Sequence, residues 1–156
     1  MKGGRKNSQG VAELIVGRTK HSGAPWESLE IYRMAVTMAK GRGADAVETP
    51  DVMEVFDMQE IDELGLRYLD RLIISTLFKQ PRYRKGDEFV CYGASESNVC
   101  MMANIDPDEY RNTIRPRLMT RGLLEMRAGH GQALTAKAVR EYGHLRQDDT
   151  RPSRTD

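Results

Sequence analysis

The stretch Met53–Leu66, MEVFDMQEIDELGL, decides how this chain is organised. Its first half is typical of the end of a short helix, and its second half is an acidic turn that contains Gly65. Because glycine adopts backbone conformations that other residues avoid, the chain can reverse at this point. We therefore expect a second amphipathic helix to begin near Leu69-Asp70-Arg71, which makes this stretch the join between two structural units.

The composition is that of a globular protein, since 30% of the 156 residues are charged and 39% are hydrophobic. The longest apolar runs, such as Leu72–Leu77, are far too short to span a bilayer. Met1–Gly10 lacks the apolar core of a secretory signal. We expect no membrane association and a cytoplasmic location, in which Cys91 and Cys100 are free thiols because no zinc-binding spacing surrounds them.

The formal net charge of +1 conceals an uneven distribution of charge. Residues 43–80 are mainly acidic, whereas the residues before them lean basic. Such a distribution suits a protein that meets a polyanion on some faces only, although charged runs also serve simply as solvated surface.

The first unit is predicted to be a small helical bundle. Residues 1–10 are rich in glycine, lysine and serine, and we expect them to be flexible. Residues 11–60 hold three predicted helices, at Val11–Val16, Trp26–Lys40 and Pro50–Met58. Thr49-Pro50 is the start signal of the third, with threonine as cap and proline in the first turn.

The second unit, residues 61–146, has the element order of a winged helix, that is, a helix-turn-helix followed by a β-hairpin wing. Its three helices are predicted at Arg67–Phe78, Ser95–Ala103 and Asp108–Arg121. A long polar connection, Pro81–Ala94, separates the first two.

The wing is predicted to pair Leu123–Arg127 with Gln132–Leu134 across a glycine-containing turn. A last helix, capped by Thr135, is expected to run to about His144. Residues 147–156 are expected to form a disordered tail.

Several segments match one known family in the right order. Pro25–Gly43, Asp62–Leu66 with Leu69-Asp70-Arg71, and Ser95–Gly122 each align without a gap. Over roughly Val11–His144 the chain resembles the RuvB-like Holliday-junction branch-migration motors. The resemblance covers the lid domain of the AAA+ ATPase and the C-terminal winged helix, without the ATPase core. It implies a mainly α fold, with a small lid-like bundle followed by a winged helix-turn-helix.

The departures from the family bear on activity. The family's phosphate-sensing Gly-Thr-Pro-Arg turn is replaced by Gly23-Ala24-Pro25-Trp26, and no Walker A sequence occurs. We therefore expect no ATP hydrolysis, no cofactor and no metal; the chain could at most be part of a multi-chain ATPase. The family's Pro-Arg-Gly-Arg wing tip is Gly129-His130-Gly131-Gln132 here, and the connection before Ser95 is longer.

The candidate nucleic-acid contacts are cationic side chains near the predicted helix-turn-helix and wing, because clustered cations attract DNA phosphates. They are Arg111, Arg115, Arg117, Arg121, Arg127, His130 and Lys137. Arg111 and Arg115 lie on one flank of an apolar stripe, and Arg117 and Arg121 lie on the other. Pro116 should bend the helix because it removes an interior hydrogen bond.

Two further features have alternative interpretations. The cluster Arg82–Lys85, which includes Tyr83, could stack on bases or be a solvated loop. Trp26 could belong to a binding site, but we expect it to pack against the neighbouring domain.

The sequence thus predicts a non-enzymatic DNA-binding protein that contacts the backbone of duplex or branched DNA in recombination or repair. Two alternatives stay open. One is a protein-interaction module, either an accessory subunit or a decoy of an AAA+ motor. The other is a winged-helix transcription regulator.

Overall fold

A computed structural model describes residues 3–20 and 25–143 of the chain, and the side chains within this part from residue 9 onward. The described chain is mainly helical, and it divides into two compact units, Met1–Arg67 and Tyr68–Asp156. The sequence placed this boundary seven residues earlier, at residues 60 and 61. The predicted tail at 147–156 lies outside the described residues.

Unit 1 consists of three helices: α1 (Gly3–Thr19), α2 (Pro25–Gly41) and α3 (Thr49–Met58). The backbone of α1 is helical from Gly3, so most of the segment expected to be flexible belongs to this helix. The predicted helix, Val11–Val16, is shorter than α1 because the first turns of α1 contain no apolar residues that would indicate a buried side. Residues from all three helices form the core of unit 1, namely Val11, Ile15, Ile31, Ala35, Val52, Val55 and Phe56.

The start of α3 is tied to the end of α2. The N-cap is Glu48 rather than the predicted Thr49, because Glu48 is the extended residue that precedes the first helical turn. Asp51 Oδ2 accepts a hydrogen bond from the Glu48 backbone N–H at 2.8 Å. Arg42 donates to both carboxylate oxygens of Asp51, at 3.1 and 2.7 Å. The buried carboxylate therefore caps one helix and anchors the loop from the other.

The predicted reversal after α3 is an Asp62-centred turn. Asp62 Oδ1 accepts hydrogen bonds from the backbone N–H groups of Leu64 and Leu66, at 3.0 and 2.8 Å. Gly65 adopts a φ of 76°, a left-handed conformation that glycine adopts without strain, so the predicted role of this glycine in the reversal is confirmed.

Unit 2 begins with α4 (Tyr68–Phe78), followed by a hairpin of β1 (Arg82–Lys85) and β2 (Glu88–Cys91), and then α5 (Glu96–Ala103). The next helix is continuous but irregular, and we call it the composite helix: α6 (Pro107–Glu109), a π-helical turn (Tyr110–Ile114) and α7 (Arg115–Thr120). The wing, β3 (Leu124–Arg127) paired with β4 (Gly131–Leu134), and α8 (Ala136–Glu141) complete the described part.

This architecture confirms the predicted fold class, a helical bundle followed by a winged helix-turn-helix. The β1–β2 hairpin was not predicted. Its two-residue loop, Gly86-Asp87, joins Lys85 to its cross-strand partner Glu88, and Gly86 has a φ of 65°. A glycine in the first position of a two-residue loop is a hairpin signal, and the sequence contained it.

Candidate nucleic-acid interface

The composite helix owes its irregularity to Pro116. Proline has no N–H to donate within the helix, and its ring crowds the preceding turn. The chain responds with a wider turn, in which the Arg115 N–H bonds to the Tyr110 carbonyl five residues back. Tyr110, Ile114 and Leu118 are nevertheless all fully buried, which confirms the predicted apolar stripe. Arg111, Asn112, Thr113, Pro116 and Met119 are left on the exposed or partly exposed side.

Arg111 and Arg115 converge on one carboxylate. Glu96, in the first turn of α5, accepts a hydrogen bond from Arg111 on Oε1 and one from Arg115 on Oε2, the latter at 2.8 Å. The pKa of Glu96 is lowered, mainly by its hydrogen bond with Arg111 and also by the charge of Arg115. We call these three residues the Arg–Glu–Arg cluster. The cluster joins the two helices of the helix-turn-helix. A second carboxylate, that of Asp108, also pairs with Arg111 at 3.3 Å.

Arg117 and Arg121 are turned toward the interior of unit 2. Arg117 donates three hydrogen bonds to the buried carboxylate of Asp70 in α4. Arg121 is itself buried, and its Nη2 lies 3.2 Å from the hydroxyl of Tyr142. These two predicted contacts therefore occupy structural positions.

The remaining basic candidates are also held by protein groups. Arg127 donates to Glu125, to the Cys91 carbonyl and to the Leu134 carbonyl, at 2.7, 2.6 and 3.1 Å. Lys137 Nζ lies 3.0 Å from the Arg121 carbonyl, so it caps the end of the composite helix.

His130 is the predicted site residue at the exposed wing tip. Two glycines allow the backbone of the tip to lie very close to the backbone before α5. A Cβ on Gly93 would lie 2.2 Å from the His130 carbonyl oxygen, and a Cβ on Gly131 would lie 2.4 Å from the Ala94 carbonyl oxygen. Ala94 and Gln132 exchange backbone hydrogen bonds of 2.9 and 2.8 Å at the same place. The wing tip is therefore clamped to the segment that leads into α5.

The structure thus brings Arg111 and Arg115 together and puts His130 at the exposed tip. The sequence leaves two interpretations of Tyr83, base stacking or a solvated loop, and it does not single out Tyr92 as a site residue. The two rings pack with centroids 4.6 Å apart, and the Tyr92 ring lies 6.4 Å from that of His130. From the sequence, this group of three rings could have been found only through the alternation of side chains along the β1–β2 hairpin, which was not predicted.

Among residues 3–20 and 25–143 we find no group of histidine, cysteine or carboxylate side chains that could hold a metal ion. Within the same residues, no helix is long and apolar enough to cross a membrane.

The order of the helices and strands defines the class of protein: a winged helix preceded by a small helical bundle. The solved structures that it resembles include RuvB from Thermotoga maritima. For the RuvB Holliday junction branch migration motor the TM-score is 0.63, with 22% identity over 89% of this chain and 42% of that chain. A single-residue mutant of the same protein gives a TM-score of 0.62, with 20% identity over 86% of this chain and 41% of that one.

This likeness confirms the expected resemblance at the level of fold. The chain spans about two fifths of the length of the RuvB chains that it matches. No protein-family model matches the sequence, and no curated protein does so either.

Proposed function

We propose that this chain is a non-enzymatic DNA-binding protein, which contacts the phosphate backbone of duplex or branched DNA through its winged helix. The observation that carries the proposal is the Arg–Glu–Arg cluster on the outer side of the helix-turn-helix. The fold supports it, because the similar protein RuvB is a Holliday junction branch migration motor.

The cluster is suited to bind phosphate. Arg111 is 48% exposed, and Glu96 and Asp108 each accept a hydrogen bond from a different terminal nitrogen of its guanidinium. A guanidinium has five N–H donors, so others remain for a phosphate oxygen. Glu96 holds both arginines in place before DNA arrives, which reduces the side-chain entropy lost on binding. The mechanism requires no base contact, so binding should be largely independent of sequence.

The proposed contact surface is narrower than the set predicted from sequence. It comprises Arg111, Arg115 and His130. Arg117, Arg121, Arg127 and Lys137 have protein partners that stabilise unit 2, so we assign them the role of shaping this surface. Neutralising two phosphates, one for each arginine, gives a slope of log K against log salt of about −2, since each contributes about −0.9.

Fluorescence anisotropy of labelled duplex and four-way-junction DNA, at about 50 and 200 mM salt, tests the proposal. The double variant Arg111→Ala/Arg115→Ala should weaken duplex binding at least tenfold. Arg33→Ala, an exposed arginine on α2 of unit 1, is the matched control. If the double variant keeps its fold and its affinity, the assignment is refuted. A preference for the junction over the duplex would support a role in recombination or repair.

A specific observation favours a second candidate function, binding to a subunit of an AAA+ ATPase. Trp26 is 66% exposed at the start of α2, and Leu29 and Tyr32 are also exposed on this helix. Helical geometry places the three side chains on one side of α2. Large exposed apolar patches mark protein-interaction sites. Binding to an ATPase subunit that Trp26→Ala abolishes, in a protein without DNA affinity, would favour this candidate.

A further inference from the structure

We propose that Tyr83, Tyr92 and His130 form a stacking platform for unpaired nucleotides of a DNA strand. This proposal rests on the proposed DNA-binding function and specifies the form of DNA. We refer to the three side chains as the aromatic platform.

The platform is a continuous row of rings. Tyr92 lies in its centre, with its ring centroid 4.6 Å from Tyr83 and 6.4 Å from His130. Its side chain is 42% exposed, and His130 is also exposed. Aromatic rings that are both exposed and fixed offer a π-face to any base, whatever its identity.

The backbone sets the spacing of the platform. Gly93 directly follows Tyr92, and Gly131 directly follows His130. These glycines allow the two backbones to approach so closely that a Cβ on either one would lie within 2.4 Å of a carbonyl oxygen of the opposing segment. Arg127 reinforces the junction, because its Nη1 contacts the Tyr83 hydroxyl and the Cys91 carbonyl, at 3.5 and 2.6 Å. The platform is therefore formed before any ligand binds, which lowers the cost of binding.

Positive charge borders the platform on strand β1. Arg82, Arg84 and Lys85 fall within four residues, and the structure shows no ion pair for them within its described part. Glu88, across the hairpin from Lys85, is paired with Arg140. By the alternation of side chains along a strand, Lys85 lies on the same face as Tyr83. This arrangement suits a single DNA strand, because its bases can stack on the rings while the neighbouring cations neutralise its phosphates.

A cleft of about 540 Å³ continues the surface beyond His130. His130, Asn98, Met101 and Met102 line it. Its volume lies in the range of about 300 to 1,000 Å³ typical of small-molecule sites. Flexible methionines adapt to the shape of a flat ring, and the Asn98 amide offers both a donor and an acceptor to a base edge. A base next to the one that stacks on Tyr92 can therefore enter this cleft.

The test compares three labelled probes by anisotropy: a short oligothymidine, a forked duplex with unpaired arms and a blunt duplex. Wild type should bind the fork more tightly than the blunt duplex. Tyr92→Ala should weaken oligothymidine and fork binding about tenfold, the effect of losing one stacked base, and leave the blunt duplex unchanged. Tyr92→Phe should restore binding because it keeps the ring.

Tyr32→Ala, which removes a tyrosine of similar exposure (46%) from unit 1, is the matched control. If Tyr92→Ala binds the fork and oligothymidine as wild type does, the platform is refuted. If oligothymidine binding depends on Tyr92 but the protein has no affinity for blunt duplex or junction, the platform stands and the proposed duplex contact fails. Duplex binding that requires Arg111, combined with indifference to Tyr92 on every probe, would refute the platform and leave the proposed duplex contact standing.

Discussion

Arg117 in α7 and Asp70 in α4 form a fork-to-carboxylate ion pair in the interior of unit 2. Arg117 Nε donates to both oxygens of Asp70, at 3.1 and 3.0 Å, and Nη2 donates to Oδ1 at 2.6 Å. The Asp70 carboxylate is fully buried. The pair fixes the composite helix against α4, and so it sets the orientation of the Arg–Glu–Arg cluster on the opposite flank.

Removing Arg117 should strongly destabilise unit 2. Arg117→Ala removes the three hydrogen bonds that Arg117 donates to the buried Asp70 carboxylate, and breaking a buried pair in this way costs about 3 to 5 kcal/mol. Urea unfolding followed by circular dichroism measures the change. Arg140→Ala is the control, because Arg140 and its partner Glu88 are both more than half exposed, and such pairs contribute about 0 to 1 kcal/mol. Equal losses from the two variants would contradict the assigned role of Arg117.

The clamp at the wing tip predicts different tolerances for two neighbouring glycines. Gly129 and Gly131 have nearly the same φ, 76° and 75°. Alanine at either position therefore incurs a similar left-handed strain, about 1 to 2 kcal/mol. Only at position 131 does the new Cβ also collide with a backbone carbonyl, that of Ala94. Gly131→Ala should therefore lower the free energy of unfolding more than Gly129→Ala does. The NMR chemical shifts of Ala94 should change in Gly131→Ala but not in Gly129→Ala.

The hydroxyl of Tyr110 should be dispensable for stability. It is buried and has no hydrogen-bond partner among the residues that the structure describes. Burial raises the pKa of this phenol well above its usual range. Because an unpaired buried hydroxyl costs about 1 to 3 kcal/mol, Tyr110→Phe should raise the free energy of unfolding, by about 1 kcal/mol. A clear loss of stability in chemical denaturation would mean that the hydroxyl has a bound water as its partner.

Neutralising Glu96 should strengthen DNA binding. Glu96→Gln keeps an oxygen that can accept from the arginines but raises the net charge of the Arg–Glu–Arg cluster by one. Affinity for duplex DNA at low salt should rise several-fold, and the salt dependence should steepen. Glu109→Gln, which changes an exposed carboxylate at the start of the composite helix, controls for total charge. Weaker binding by Glu96→Gln would show that its grip on the arginines matters more than its charge.

Asp51 should make unit 1 sensitive to acid. Its pKa is lowered, first by the hydrogen bond from Arg42 and then by the Glu48 N–H. A carboxyl whose pKa is lower in the folded state stabilises the fold above its unfolded pKa, about 3.9 for aspartate, and this contribution disappears as the pH falls through the folded value. Asp51→Asn should therefore be less stable than wild type at pH 7, with the difference shrinking below about pH 4. Asp57→Asn, on an exposed residue of the same helix, is the control for thermal unfolding across this pH range.

The sequence predicted what depends on neighbours along the chain. The apolar stripe of the composite helix is the buried one, Gly65 takes the expected positive φ, and Thr135 caps α8 through the Ala138 N–H. These features follow from helical periodicity and from local hydrogen bonds, which are written in consecutive residues.

What the sequence could not show is which distant groups meet. Arg117 and Asp70 are 47 residues apart, and only the folded unit brings them together. A helical wheel placed Arg117 on a flank of the composite helix, but it could not tell that α4 covers that flank. The aromatic platform has the same origin, since it joins a hairpin to a wing tip through the contact of Gly93 with the His130 carbonyl.

The two cysteines give unit 2 a built-in probe of its own opening. Cys91 and Cys100 are both buried, and both lie in unit 2, while the sequence of unit 1 contains no cysteine. Burial also raises the pKa of both thiols, so the folded chain should react slowly with alkylating reagents. The rate at which each thiol is labelled therefore reports how often unit 2 unfolds locally around that cysteine. No label has to be introduced, and unit 1 does not contribute to the signal.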